Sequence, residues 1–211
     1  MESLLRWRPE AARFRHRDSL LEKSLPGADL ALDACALVDL SVAEALARAR
    51  RAGRAPACEP GCAACCCQPI PLTPLEALLL TRFVHLRLGS EERAALALPP
   101  LRRNCPLLLD GRCAAYVVRP LACRRYLVLG RACASGEDAA SSRPADLLPP
   151  DPDLLAAALL RTLPWYARRP GCPLPPRPSD PAAARRFFRS VTTVIQILPW
   201  EKELAQEDGV A

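Results

Sequence analysis

Cysteine is the residue that most constrains what this chain can fold into, because its 11 copies are crowded together. Five of them fall within the ten residues from Cys58 to Cys67, and four more follow between residues 105 and 133. The odd total argues against a closed disulfide framework, and metal ligation is the usual role of so many thiols in a reducing compartment. The number and crowding of the cysteines therefore predict a metal centre.

The start of the chain predicts a cytoplasmic protein. Residues 1–8 contain no apolar run and no small-residue cleavage site, so they do not resemble a signal peptide. No segment approaches the ~20 apolar residues that cross a bilayer, and we expect no membrane partner. The net charge of +6 is carried almost entirely by arginine. Because no basic patch with interleaved aromatic residues is found, we expect no nucleic-acid partner.

The spacing of the first cysteines favours a centre with more than one metal atom. Two residues separate Cys62 from Cys65, so one tight turn can direct both sulfurs to a common ion. Cys58 lies close enough in sequence to reach the same site. The neighbouring side chains of Cys65 and Cys66 usually diverge, and both seldom bind one ion. They suit a multinuclear centre, or one of them supports the ligands from outside.

Positive charge accompanies the second group of cysteines. Seven arginines and a single acid, Asp110, lie between residues 101 and 135. A centre with four thiolates carries a charge of about −2, which is costly to bury without compensation. Arg119 and Arg124 are our first candidates to bind the centre by neutralising this charge and lowering the thiolate pKa values. A solvated basic loop is the alternative interpretation.

These residues resemble the CxxCxxCC, or YkgJ-type, cysteine-cluster family, whose members are described as zinc- or iron-chelating. The resemblance covers roughly residues 55–135 in two blocks that occur in the family's order. The first block is Cys58-Glu-Pro-Gly-Cys62-Ala-Ala-Cys65-Cys66, followed by Pro-Leu-Thr-Pro-Leu-Glu76. The second contains Asn104-Cys105-Pro-Leu-Leu, Asp110-Gly-Arg-Cys113-Ala-Ala-Tyr116 and Arg119-Pro120-Leu-Ala-Cys123-Arg124-Arg-Tyr126.

The resemblance implies a set of eight cysteines that ligate or closely support the metal. They are Cys58, Cys62, Cys65, Cys66, Cys105, Cys113, Cys123 and Cys133. The chain departs from the family pattern in its first gap, which is three residues long instead of two, and in the extra Cys67. The resemblance leaves zinc, iron and an iron–sulfur cluster open, and the adjacent pair favours a [4Fe–4S] cluster. Isolated Cys35 and Cys172 are expected to be unliganded.

The periodicity of apolar residues, together with caps and prolines, predicts a mainly α, small single domain. Its helices would pack around a cysteine-rich metal-binding core of two irregular loops, residues 54–72 and 101–135. The main helices are expected over residues 28–52, 73–88, 153–163 and 181–198. A weakly structured, charged N-terminal arm is expected over residues 1–27, with a short helix around Ser19–Lys23. The domain is expected over 28–198 with its core at 55–135, and a frayed acidic tail over 199–211.

Several local signals add detail to this prediction. Asp29 is expected to cap the first long helix, and Thr73 to Glu76 form a capping-box pattern. Asp110-Gly111 between apolar runs predicts a hairpin. Residues 136–150 are expected to form a polar linker, and residues 169–180 an irregular proline-rich segment.

Three classes of function remain open from the sequence. The first is metal or iron–sulfur binding in a structural or electron-transfer role. The second, suggested by the resemblance, is a metal-dependent enzyme that modifies proteins, since a flagellin lysine methylase carries a similar motif. The third is a zinc-stabilised protein-interaction module. No phosphate-binding loop, dinucleotide-binding glycine pattern or Ser-His-Asp set is found.

Overall fold

The structure is a computed structural model that describes residues 7–59, 61–97, 104–169, 180–200 and 202 of the chain. The described part is mainly helical, as predicted, with short two-residue strands. Its α-helices are α1 (Ser19–Ser24), α2 (Ala28–Arg51), α3 (Pro74–Arg87), α4 (Ser90–Ala97), α5 (Leu121–Arg125), α6 (Ala139–Ser142), α7 (Pro152–Ala167) and α8 (Pro181–Val191). Its strands are β1 (Pro71–Leu72), β2 (Leu108–Leu109), β3 (Arg112–Cys113) and β4 (Thr193–Val194). Short 3₁₀ turns connect several of them.

Helix α2 is the central element, and it is buried on most of its circumference. Its N-cap is Gly27, with φ of +91°, so the prediction of Asp29 as the cap is wrong. Trp165 packs so closely there that a Cβ on residue 27 would lie 2.4 Å from its ring. At the other end, Gly53 N–H bonds to Arg50 O and Arg54 N–H to Ala49 O, which together form a Schellman motif.

Over residues 7–27, the described part of the N-terminal arm, the prediction of weak structure is wrong, and the short helix expected around Ser19–Lys23 is present as α1. Residues 1–6 lie outside the described residues. A 3₁₀ turn over Pro9–Phe14 contacts α2, and α1 contacts α2 and α3. Leu21 is fully buried. Asp18 caps α1 and also pairs with Arg87 of α3 at 2.6 Å. Arg15 of the arm likewise pairs with Asp33 of α2.

The predicted capping box at the start of α3 is present, and it reaches further than the sequence indicated. Glu76 Oε2 accepts hydrogen bonds from Thr73 N–H at 2.7 Å and Thr73 Oγ1 at 2.8 Å. Its second oxygen accepts the N–H of Leu121 at 2.8 Å, which is the first residue of α5. Burial raises the pKa of Glu76, while these bonds act in the opposite direction. One carboxylate thus joins the starts of two helices.

Replacing Glu76 with alanine is therefore expected to lower the free energy of unfolding by about 2–3 kcal/mol, because it leaves partly buried N–H groups unpaired. Glu92→Ala is the matched control, since exposed Glu92 caps only the Gly89 N–H. The control should change the free energy by about 0.5 kcal/mol or less. Urea unfolding followed by circular dichroism measures both values, and equal losses would contradict the role given to Glu76.

The Asp110-Gly111 hairpin is also present, with β2 and β3 antiparallel and Leu108 opposite Cys113. Both turn residues have positive φ, 49° and 75°, as a type I′ turn requires. The structure adds a pairing that the sequence did not predict. Strands β1 and β4 are antiparallel, with Leu72 opposite Thr193, so the C-terminal segment returns to the loop before α3.

This pairing shortens the last helix, which ends at Val191 and not at residue 198. The β-branched residues from Val191 to Val194 favour an extended backbone, and a strand partner is available. Ile195 is still buried, as predicted, but from a 3₁₀ turn. Of the acidic tail, Trp200 is buried and donates its indole N–H to Ile195 O. Residues 201 and 203–211 lie outside the described residues.

Two other segments differ from the prediction. The linker over 136–150 is ordered by α6 and by Glu137, which pairs with Arg131 and Arg143. Helix α7 continues through Pro164 to Ala167, beyond the predicted end at residue 163. Tyr166 near its end stacks edge-to-face with Phe187 and Phe188 of α8, and this aromatic packing offsets the cost of a proline in the helix. Most of the 169–180 segment, including Cys172, lies outside the described residues.

No helix in the described ranges combines the length and the apolar character needed to cross a membrane.

Candidate metal centre

The ten described cysteines are all free thiols. Cys35, on the central helix α2, and Cys105 are buried, whereas Cys62 is exposed and the others are partly buried. Burial raises the pKa of Cys35, as expected for a thiol that packs as a small apolar residue. The remaining thiols belong to the two loops identified from the sequence.

The first loop presents its cysteines on one 3₁₀ turn, Ala64–Cys67. Gly61, with φ of +89°, precedes the turn. Within it, the thiol of Cys66 donates a hydrogen bond to the sulfur of Cys65, which lowers the pKa of Cys65 to about 7 and raises that of Cys66. The two sulfurs of the adjacent pair are therefore neighbours in this structure.

The second loop is joined to this turn through the backbone. The N–H of Cys105 donates to the carbonyl of Cys66 at 2.7 Å. Cys66 and Cys123 pack against the same apolar core cluster that contains Cys105. Helix α5 supplies Cys123, and strand β3 supplies Cys113. Two segments separated by about forty residues thus meet at one place.

The thiols of this place are close enough for their charges to interact. Burial, and then the charges of neighbouring cysteines, raises the pKa of Cys105 to about 12 and raises that of Cys123. Cys65 is among those neighbours in each case. Burial raises the pKa of Cys113, and Cys65 again adds to the effect. We call this group the central thiols: Cys65, Cys66, Cys105, Cys113 and Cys123.

Hydrogen bonding from backbone N–H groups acts on the pKa values of two of these sulfurs. The N–H of Leu107 lowers the pKa of Cys105 and the N–H of Ala115 lowers that of Cys113, each from two residues further along the chain. Hydrogen bonds of this kind stabilise the thiolate and lower its pKa, opposing the effect of burial. Amide donors to sulfur are also one of the ways in which proteins tune iron–sulfur clusters.

Cys58, Cys62 and Cys133 form an outer group beside the central thiols. Residues 55–57 pair with residues 128–130 through Ala57 N–H to Val128 O and Gly130 N–H to Ala55 O, both at 2.8 Å. The N–H of Val128 then donates to the Cys58 sulfur at 3.3 Å. Burial raises the pKa of Cys58, and the charges of Cys62, Cys65 and Cys133 add to it. These contacts connect the outer group to Cys65.

The two predicted arginines have different surroundings. Arg119 lies near the central thiols, since its charge acts on the pKa values of Cys65 and Cys113. The pKa of Cys65 is lowered mainly by the hydrogen bond from Cys66, and the charge of Arg119 adds to that effect. The pKa of Cys113 is raised mainly by burial, and the charge of Arg119 opposes that effect. Arg119 also stacks on Tyr116, with its guanidinium carbon 4.0 Å from the ring centroid. Arg143, which was not among the predicted site residues, donates to the Cys133 sulfur at 3.4 Å.

Arg124 is fully buried, and its partners belong to the protein scaffold. It donates to Asp39 of α2 at 2.6 Å, to Arg119 O at 3.0 Å and to Val117 O. Its charge is therefore balanced by Asp39. The prediction that Arg124 neutralises a metal centre finds no support in these contacts and stays a prediction.

Among the described residues, no three cysteine, histidine or carboxylate side chains are arranged, as they stand, to hold a metal ion. Some thiols instead have local partners: Cys66 bonds to Cys65, and Cys67 donates to Ala64 O at 3.1 Å. The structure thus brings the predicted cysteines into one region, but it does not show a coordination geometry.

In comparisons with family models, with curated proteins and with solved structures, no match to this chain was found.

The shared hydrogen bond between Cys65 and Cys66 has a measurable consequence in metal-free protein. Because the pKa of Cys65 is about 7, its thiolate forms as the pH rises through that value, whereas the thiols with raised pKa values stay protonated. Cys65 should be the central thiol that iodoacetamide alkylates fastest at pH 7–8, as read by mass spectrometry of peptides. In Cys66→Ala the pH midpoint of this reaction should move upward. An unchanged midpoint would contradict the assignment.

Proposed function

We propose that this protein holds a metal centre through cysteine thiolates, with a [4Fe–4S] cluster favoured over zinc. The observation that carries the proposal is the meeting of the central thiols, contributed by two loops far apart in the sequence. Buried thiols that raise one another's pKa values destabilise each other as thiolates. A cation at this place removes that repulsion and stabilises the deprotonated ligands.

The residues present fit such a group in number, charge and hydrogen bonding. Five central sulfurs exceed the four that a [4Fe–4S] cluster or a zinc ion requires. Arg119 supplies positive charge near Cys65 and Cys113. The Leu107 and Ala115 N–H groups lower the pKa values of Cys105 and Cys113. The preference for a multinuclear centre over a single ion comes from the adjacency of Cys65 and Cys66 in the sequence.

The ligands would come from the central thiols, with Cys58, Cys62 and Cys133 as additional ligands or as supporting groups. When bound, an iron–sulfur cluster supplies one-electron chemistry, whereas zinc would supply a structural cross-link. Free thiols agree with a reducing setting, and we propose a cytoplasmic location. Because the ligands come from both loops, binding would also stabilise the fold.

A second candidate is a metal-dependent enzyme, and one observation favours it. A cavity of about 430 Å³ has Cys65 and Cys123 in its wall, so space for a small molecule lies directly beside the proposed centre. Ligand sites in proteins are usually cavities of roughly 300–1,000 Å³ with mainly apolar walls. A purely structural centre needs no such space.

Anaerobic reconstitution can separate iron–sulfur from zinc. Metal-free, reduced protein is divided and given either ferrous iron with sulfide or zinc alone, and excess metal is removed. The proposal expects a brown product with visible absorption and iron and sulfide in equal amounts, together with a higher melting temperature. Zinc bound in stoichiometric amount without retention of iron would favour the structural alternative. Retention of neither metal would contradict the proposal.

A further inference from the structure

A second cavity, of about 450 Å³, adjoins the one beside Cys65 and Cys123. Its walls are mostly apolar, with contributions from Val38 of α2, Leu159 of α7 and Phe188 of α8. Three arginines line it as well: Arg125, Arg185 and Arg189. Arg185 and Arg189 are exposed and stand one turn apart on α8, at the rim. We call this space the arginine-rimmed cavity.

The positive charge of this cavity is not balanced within the described part of the protein. Among the described residues that line it, Glu76 is the only one with a carboxylate. One oxygen of Glu76 accepts hydrogen bonds from Thr73 and the other from the N–H of Leu121. None of the three arginines has a carboxylate partner among the described residues. Several other arginines do, as Arg161 with Asp33 at 2.6 Å illustrates. Three guanidinium groups that have no carboxylate partner in the described ranges lie beside an apolar wall, and such a site is complementary to an anion.

The two cavities are neighbours through shared walls. Pro71, Ala122, Arg125 and Leu155 line both of them. Arg125 also follows Cys123 by two residues at the end of α5. A ligand whose acidic group pairs with Arg125 would therefore lie close to the cysteine region.

We propose that the arginine-rimmed cavity binds an organic anion with an apolar body, a carboxylate or a phosphate ester on a hydrocarbon group. The acidic group pairs with Arg125, Arg185 and Arg189, because guanidinium groups form two parallel hydrogen bonds with carboxylates and phosphates. The apolar body lies against Val38, Leu159 and Phe188. The cavity volume suits a small molecule of this kind. Binding itself does not need a metal, but a role for the ligand at the cysteines rests on the proposed function.

The charge requirement can be tested on the unmodified protein. The fluorescent probe 11-(dansylamino)undecanoate is titrated into the full chain, and decanoate, decyl phosphate and decanamide then compete with it. We expect saturable binding and displacement by one or both of the anions, and their order distinguishes a carboxylate ligand from a phosphate ligand. Neutral decanamide should compete at least about tenfold more weakly, since it lacks the charge-assisted hydrogen bonds. Equal competition by decanamide, or the absence of saturable binding, would overturn the proposal.

Variants test the location. Arg185→Ala/Arg189→Ala should weaken binding of the probe about tenfold or more through loss of two charged donors. Arg186→Ala is the matched control, because Arg186 is exposed on the same helix but does not line the cavity. Equal weakening in both variants, or none in the double variant, would overturn the location. If the double variant does not fold, the competition series on the unmodified protein still tests whether the site requires an anion, and equal competition by decanamide would overturn the proposal.

The same titration distinguishes this proposal from the metal proposal. It is carried out on metal-free and on metal-loaded protein, with metal content measured in parallel. Probe binding by protein that retains no metal supports the anion site although the proposed function fails. Metal retained without probe binding supports the metal centre and overturns the anion site.

Discussion

Replacing Arg124 with alanine is expected to lower the free energy of unfolding by about 3 kcal/mol, since it removes the fully buried partner of an ion pair and the donor to two backbone carbonyls. Arg124 is 1% exposed, and its guanidinium donates to Asp39 at 2.6 Å. The change leaves the carbonyls of Val117 and Arg119 without this donor, and it takes from the Asp39 carboxylate its closer partner, since His16 lies 3.5 Å from the same oxygen. A loss of this size is a large part of the 5–15 kcal/mol that typically separates folded from unfolded domains.

Urea denaturation, followed by circular dichroism, measures this loss. Arg125→Ala is the control, because Arg125 is exposed and adjacent in sequence, and it should change the free energy by about 0.5 kcal/mol or less. In the double variant Asp39→Ala/Arg124→Ala the loss should be smaller than the sum of the two single losses, since no unpaired charge remains. Additive losses, or an Arg124→Ala variant as stable as the unmodified chain, would contradict the structural role.

The second large effect concerns metal content. Cys65→Ser and Cys123→Ser should each reduce bound metal to less than about one fifth of that in the unmodified protein, because binding depends on thiolate ligands from both loops. Cys67→Ser is the matched control. Cys67 belongs to the same turn as Cys65, but its thiol donates to Ala64 O and it is extra to the ligand pattern. This variant should keep its metal.

Elemental analysis of anaerobically purified variants, together with sulfide determination, measures the result. Equal metal content in Cys65→Ser and Cys67→Ser would show that the turn is not the site. Metal loss in Cys65→Ser but not in Cys123→Ser would restrict the site to the first loop. In that case the joining of the two loops through Cys105 and Cys66 would have only a structural purpose.

Local sequence signals predicted the starts of several elements well. The Thr73–Glu76 capping box and the Asp110-Gly111 turn depend on interactions within four residues, and both are present in the structure. The burial of Cys35 followed from its position inside an apolar helix. In such cases the chain carries the information in one short segment, and no distant partner alters the outcome.

Features that depend on distant partners were not predictable in the same way. The last helix ends at Val191 because residues 193–194 pair with β1, more than a hundred residues earlier. The ion pair between Arg124 and Asp39 of α2 was not predicted either, since the two residues lie 85 positions apart. The N-terminal arm is held against the helices partly by the ion pair between Asp18 and Arg87 of α3. Periodicity and composition do not show which residues far apart in the sequence will be in contact.

Part of the candidate site could be predicted from the sequence and part could not. The crowding of cysteines in two loops could be recognised from spacing alone, and the structure places the loops together through Cys105 and Cys66. The sequence could not indicate which sulfurs would be central or that Arg143 would reach Cys133. It also gave no sign of the two cavities, since their walls come from helices far apart in the chain.

The measurement that tests the central claim most directly is the metal and sulfide content of the full chain purified under strictly anaerobic conditions. We predict bound iron accompanied by equal sulfide, or, in the structural alternative, stoichiometric zinc, with the cysteines of both loops protected from alkylation. Folded protein that contains neither metal, and whose cysteines are either all freely alkylated or paired as disulfides, would contradict the account.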